Sequence, residues 1–306
     1  MAKRTYFRKR QTPTENLTFI AMMVGFDAIF SLVSALLPFG AVFIMFLVPL
    51  TSALVASYCQ KRFLIIYIFS ALGIALAVSA WNIANTIFYL FPALLTGSLY
   101  GVLKRKRAPY SLNIFATAAL SLGLFYFSLW FLKVVTGADM VDFLLGVVGK
   151  KDDPLAPNIF PLFGFAYSLS QMAVVHIFLQ FEFTHLEDTS IPENGLFIWY
   201  PLPATVFLGS AIGCAFISAK AAYLLFGMGI YWSLYCLYSM MKVHRFWSWI
   251  ILGVVIFLGY LGFAATYQLV PTGNGLSLLS LPFLGIPITS FLNYVLLRKN
   301  ENQPKM

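Results

Sequence analysis

The sequence predicts an all-α protein, a polytopic transmembrane helical bundle of about ten spans, with N- and C-termini cytoplasmic. Three observations carry this. Only 10% of the 306 residues are charged and 60% are hydrophobic. A soluble domain carries about 25% charged residues, so there is too little polar surface here to coat a water-facing fold. Apolar runs of roughly 18 residues or more recur along the whole chain, long enough to cross a bilayer as helices and too uniformly apolar for barrel strands. The basic residues sit in short clusters between those runs, where topology signals belong.

The first span covers 17–37 and stops at the turn Leu37-Pro38-Phe39-Gly40. A basic segment, Lys3 to Arg10, precedes it. The apolar stretch is longer than the ~7–15 residues of a cleavable signal core and lacks a small-residue cleavage site, so it reads as a span. The second span is 41–59 and ends at Gln60-Lys61-Arg62; the third is 63–81; the fourth is 84–103 and ends at Lys104 to Arg107. The fifth is 111–132, followed by a polar outer loop at 133–158. The sixth, 159–181, leads into an acidic cytoplasmic loop at 182–195. The remaining spans are 196–218, 221–241, 247–269 and 278–297. The joint at Ser218-Ala219-Lys220-Ala221 is very short, which leaves a count of eight or nine open. The chain divides by this reading into 1–107, with a tail and four spans, and 108–306.

Orientation follows from the basic residues. With the N-terminus inside, Lys3, Arg4, Arg8, Lys9, Arg10, Lys61, Arg62, Lys104 to Arg107, Lys242, Arg245, Arg298, Lys299 and Lys305 are cytoplasmic. Only Lys133, Lys150, Lys151 and Lys220 fall outside. The same placement argues against nucleic acid as the partner behind the net charge of +9. Cys59, Cys214 and Cys236 lie in apolar stretches without metal or redox spacing and read as small buried hydrophobes.

Asp27 is the one acidic residue in mid-span. A charge there costs at least about 2.5–3.5 kcal/mol on insertion scales, so it needs a partner or a wet cavity. It reads either as an ion, proton or substrate contact or as a hydrogen-bonded packing residue beside Ser31. Ala21, Gly25, Ala28 and Ala35 share a small-residue face of the same span, suited to close helix contact within the bundle or to docking a partner subunit. Trp81, Asn82, Asn85, Thr86 and Tyr89 cluster at the outer end of spans three and four. They form either the mouth of a polar ligand site or an interfacial aromatic belt with a capped helix start. In the sixth span Tyr167 and Gln171 share one face and His176 and Gln180 another. Gln171 and His176, about 140° apart, read as separate interhelical hydrogen-bonding groups.

Prolines 49, 92, 201, 203, 282 and 287 fall within or at the ends of spans, each freeing backbone carbonyls that neighbours must satisfy. Spans four and ten, with Pro92 and Pro287, end alike in Tyr-x-x-Leu and a basic run, a short match that invites a test for duplication. A single E-x-x-H, Glu182 to His185, falls short of a di-metal set. There is no H-E-x-x-H, P-loop or G-x-S-x-G pattern, so no catalytic residue, metal or cofactor is expected.

The stretch from Leu17 to Leu37, the Leu-Pro-Phe-Gly turn and the run Tyr89 to Gly101 resemble the first half of the S components of energy-coupling factor transporters. Over about 17–299 the chain resembles the YybS-like family of uncharacterised bacterial integral membrane proteins. Gln171-Met172-Ala173-Val174-Val175-His176 is similar to that family's Gln-Gly-led motif, with Met172 in place of the glycine. The Gly285 to Lys299 span is similar to its closing helix, without an acidic residue.

The resemblance implies a bacterial cytoplasmic membrane protein in which Ala21, Gly25 and Ala28 dock a transmembrane coupling subunit. It also implies that Trp81, Asn82 and Asn85 touch a small vitamin-like solute, and that the ATPases are separate chains. Such components have about six spans, fewer than here. The functional expectation is a non-enzymatic, solute-binding transporter subunit in contact with membrane lipid, with Asp27, Tyr89, Gln171 and His176 added to the ligand set. The alternatives are a scaffold for envelope processes such as cell shape or sporulation, and an intramembrane or lipid-handling enzyme.

Overall fold

The computed structural model describes residues 10–37, 40–78, 89–137, 139–147, 149–150, 153, 155–184, 199–243, 246–270 and 274–301. All the regular structure among these residues is helical. Seven helices are long and apolar enough to cross a membrane, and two shorter apolar helices accompany them. The chain forms two compact units, one of residues 1–140 with 167–191 and one of 141–166 with 192–306.

The first unit contains α1 (Pro13–Leu36), α2 (Gly40–Tyr58), α3 (Lys61–Val78), α4 (Phe91–Arg105), α5 (Tyr110–Thr136) and the later part of α7 (Ala156–Thr184). α1 starts where its residues dictate. The Thr12 hydroxyl accepts from the Glu15 amide, the Glu15 carboxylate accepts from the Thr12 amide in return, and Pro13 occupies the first turn. α2 and α4 pack backbone to backbone. A Cβ at Gly97 would collide with the Pro49 backbone and Ser52, and one at Gly101 with Ala53 and Ala56. Small residues four apart permit this approach in lipid, where dispersion rather than water expulsion drives helix contact. Phe19, Met23, Val48, Val55, Tyr67 and Leu94 fill the core between α1, α2, α3 and α4.

The basic clusters of this unit gather at one end. The Arg10 amide donates to the Tyr58 carbonyl at 2.9 Å, and the Arg105 guanidinium donates to the Cys59 carbonyl at 2.9 Å. Asn16, fully buried, accepts from the Gln60 amide at 3.0 Å. Arg10, the α2–α3 turn and the end of α4 therefore lie on one side, as their assignment to one side of the membrane requires. α4 closes in a left-handed turn. Arg107 has φ 57°, its amide donates to the Lys104 carbonyl, and the Ala108 amide donates to Leu103. Glycine is the usual residue here, because a Cβ costs about 1–2 kcal/mol in this conformation. Arg107→Gly is expected to raise stability by about 0.5–1 kcal/mol, read as a higher unfolding midpoint in detergent.

The second unit contains most of α6 (Met140–Val147), the start of α7, α8 (Pro201–Ala215), α9 (Ala219–Val243), α10 (Phe246–Thr266), α11 (Ser280–Phe283) and α12 (Gly285–Glu301). Gly229 of α9 lies against Leu208 of α8, and Gly259 of α10 against Leu281 and Pro282. The Asn274 side-chain amide caps the C-terminal end of α8 by donating to the Ala215 carbonyl at 2.7 Å. Ser239 bonds Ser290 at 3.1 Å, and Ser248 donates to Asn293. α10 is apolar on every side and leaves Val254, Phe257, Leu258 and Leu261 exposed. A surface of that kind is at home in hydrocarbon and would aggregate in water.

Several expectations need correction. The expected loop at 133–158 contains α6, because Met140, Phe143 and Leu144 recur at helical spacing. α5 runs on to Thr136, and Lys133 pairs with Asp139 at 2.7 Å just beyond it. The expected tenth span, 278–297, overlaps the long apolar segment Gly275–Val295, which is built as a 3₁₀ segment, Gly275–Leu279, followed by α11 and α12, with Pro282 in the short α11 and Pro287 early in α12. Seven long apolar helices bear out a multi-span helical bundle. The short joint near Lys220 is real. α8 ends at Ala215, and the Ser218 amide bonds the Cys214 carbonyl before α9 begins at Ala219.

Candidate functional site

The polar groups of the first unit fall into three clusters, each built by a different pair or trio of helices. Asp27 of α1 is fully buried and faces α2 and α3. Its Oδ1 accepts from the Thr51 hydroxyl at 2.6 Å and its Oδ2 from the Tyr67 hydroxyl at 2.5 Å. The Thr51 and Tyr67 oxygens are 3.2 Å apart, so the three groups form a closed set. Thr51 also lies 2.8 Å from the Val48 carbonyl of its own helix. The carboxyl thus faces neither lipid nor an apolar wall. Ser31, one turn further along α1, is also buried.

The second cluster originates in a proline. Pro49 lies inside α2 and has no amide hydrogen, so the carbonyl of Met45, one turn earlier, loses its helical partner. The Gln171 side chain supplies the replacement, donating from Nε2 to the Met45 carbonyl at 2.7 Å. Tyr167, one turn before Gln171 on α7, brings its hydroxyl to 2.7 Å from Met45 Sδ. Ser121 of α5 donates to Gln171 Oε1 at 3.5 Å. Around these groups is a partly open cavity of about 30 Å³, lined also by Tyr89, Pro92, Phe125 and Ser168. Room for roughly one water is available, with several polar partners at its wall.

The third cluster is His176 of α7 with Tyr100 of α4 and Tyr110 of α5. His176 Nδ1 and the Tyr100 hydroxyl are 2.5 Å apart, and the Tyr110 ring meets the imidazole edge-on at a centroid distance of 4.9 Å. Gln171 and His176 therefore bond different helices, as their angular separation on α7 predicts.

The structure brings Tyr89 and Gln171 to one cavity and leaves Asp27 and His176 in separate clusters. Trp81, Asn82 and Asn85 lie outside the described residues. Ala21 and Gly25 are exposed and Ala28 is half-buried, with open space over Gly25. Thr51, Tyr67, Tyr100 and Ser121 escape a reading of the sequence because their partners are 24, 40, 76 and 50 residues away. Among the described residues no three of His, Cys, Asp and Glu are grouped to hold a metal. No family model, curated protein or solved structure matches this chain.

Proposed function

We propose that the chain is a non-enzymatic membrane subunit whose first unit captures a small polar solute, in the manner of the S components of energy-coupling factor transporters. The observation that carries the reading is the cavity at Pro49. A proline inside a continuous helix, a side-chain amide, two serines and two tyrosines meet at one place inside an apolar bundle. A proline at membrane depth frees a backbone carbonyl for a polar partner. Among the described residues the first unit draws on six helices, about the number of spans such components have. The exposed face of Ala21 and Gly25 supports their role in docking a coupling subunit. The separation of Asp27 from His176 argues against an intramembrane enzyme, which needs ionisable groups converging at one depth.

The small volume of the cavity favours a second reading, a closed scaffold for envelope processes. Affinity purification of the full chain from its native bacterial membrane separates the two. The transporter reading expects a membrane coupling subunit and ATPases in fixed ratio, reduced severalfold by Gly25→Phe. Retention of envelope-assembly proteins without any ATPase would favour the scaffold.

A further inference from the structure

The basic end of the first unit contains a cavity that solute binding does not use. It lies between the α2–α3 turn and the end of α4 and has a volume of about 310 Å³. Lys61, Arg105 and Lys106 form its polar wall, and Ala56, Leu64 and Val102 its apolar wall. We propose that it binds a phosphate-bearing anion, supplied by an anionic phospholipid headgroup or by a soluble phosphate.

The three cations come from two helices and converge on one concavity. A topology signal requires positive charge at this end of the chain but no shared pocket. Convergent like charges repel, and an anion between them removes that cost. Neither lysine is ion-paired among the described residues, whose ion pairs are Lys133–Asp139 and Lys150–Asp153. Arg105 uses one nitrogen on the Cys59 carbonyl, and a guanidinium has five N–H groups, so donors remain for a ligand. α3 begins at Lys61, and its N-terminus adds partial positive charge to the same wall. The left-handed turn at Arg107 fixes the chain just after Lys106. The apolar wall suits the glycerol and upper acyl region of a lipid, and Ile65 and Ile66 are exposed beside it on α3. Basic pockets between membrane helices are the known habitat of anionic headgroups.

The test titrates the full-length protein in detergent with phosphatidylglycerol, phosphatidylcholine or inorganic phosphate, counting bound molecules by native mass spectrometry. Wild type is expected to prefer phosphatidylglycerol over phosphatidylcholine. Lys61→Gln with Lys106→Gln is expected to weaken anion binding about 25-fold, at roughly fivefold per cation. Arg62→Gln with Arg107→Gln removes the same charge from outside the pocket wall and is expected to change binding less than about threefold. Competition by inorganic phosphate assigns the site to a soluble ligand, and its absence assigns it to lipid. If the first double variant loses its monodisperse elution, Lys106→Gln alone, whose side chain is exposed, carries the comparison at about fivefold. Equal loss in both double variants means diffuse surface charge and overturns the proposal, as does the absence of any preference for phosphate-bearing anions.

Discussion

Gly97→Leu is expected to prevent the first unit from assembling. The new side chain would point into the Pro49 backbone and the Ser52 hydroxyl, and backbone cannot swing aside as a flexible side chain can. Overpacking in a tight core costs about 1–3 kcal/mol where neighbours can relax, and here the nearest atoms include main chain, so the cost is at least about 3 kcal/mol. α2 and α4 would be forced apart, and with them the cavity at Pro49. The measurement is the yield of monodisperse protein after extraction, with the unfolding midpoint of whatever survives. Gly101→Val should behave similarly because it meets the Ala53 carbonyl and Ala56. Gly25→Ala, with open space around it, should leave stability within about 0.5 kcal/mol of wild type.

Asp27→Leu carries the second large effect. It removes the 2.5 Å acceptor of the buried Tyr67 hydroxyl and leaves it only the longer contact with the Thr51 oxygen at 3.2 Å, while Thr51 keeps the Val48 carbonyl of its own helix. A buried hydroxyl left with a weakened partner costs up to about 1–3 kcal/mol. Hydrogen bonds between membrane helices are themselves modest, averaging about 0.6 kcal/mol. A total loss of about 2–4 kcal/mol is expected in denaturant unfolding. Adding Tyr67→Phe should recover at least about 1 kcal/mol, since the hydroxyl that lost its acceptor is gone. Asp27→Asn retains a carbonyl oxygen as acceptor and should cost about 1 kcal/mol. If Asp27→Asn abolishes function at nearly normal stability, the carboxyl does more than pack. Full function in that variant would make Asp27 a clamp joining α1, α2 and α3.

Much of the architecture is written locally and can therefore be read without coordinates. The apolar stretches of α1, α3, α5, α7, α9 and α10, and the segment Gly275–Val295, are long enough to cross a membrane, so length and composition alone identify them. The joint before α9 shows in Ser218 and Lys220, which interrupt an otherwise unbroken run. α6 was concealed because its eight residues sit among aspartates and lysines that read as a loop. The closeness of α2 and α4 had a visible signal in Gly97 and Gly101, four apart, but the facing residues on α2 could not be named from it. The candidate site was legible in half. Pro49 announces a free carbonyl, and Tyr167 with Gln171 announces a polar face. Their meeting at Met45 spans 122 and 126 residues of sequence, and only packing sets such a contact. Asp27 was conspicuous as a buried acid, whereas Thr51 and Tyr67 look like ordinary helix residues until the three helices come together.

The central claim is that the first unit holds a small solute at the Pro49 cavity, which must widen beyond its volume of about 30 Å³ to admit anything larger than water. Denaturing full-length protein purified from its native membrane and identifying what it releases by mass spectrometry tests this directly. The account predicts one small polar compound at about one molecule per chain. Gln171→Leu should lose it, being unable to satisfy the Met45 carbonyl, while eluting like wild type. Folded wild-type protein that releases no such compound across different growth media would contradict the claim, as would unchanged release from Gln171→Leu.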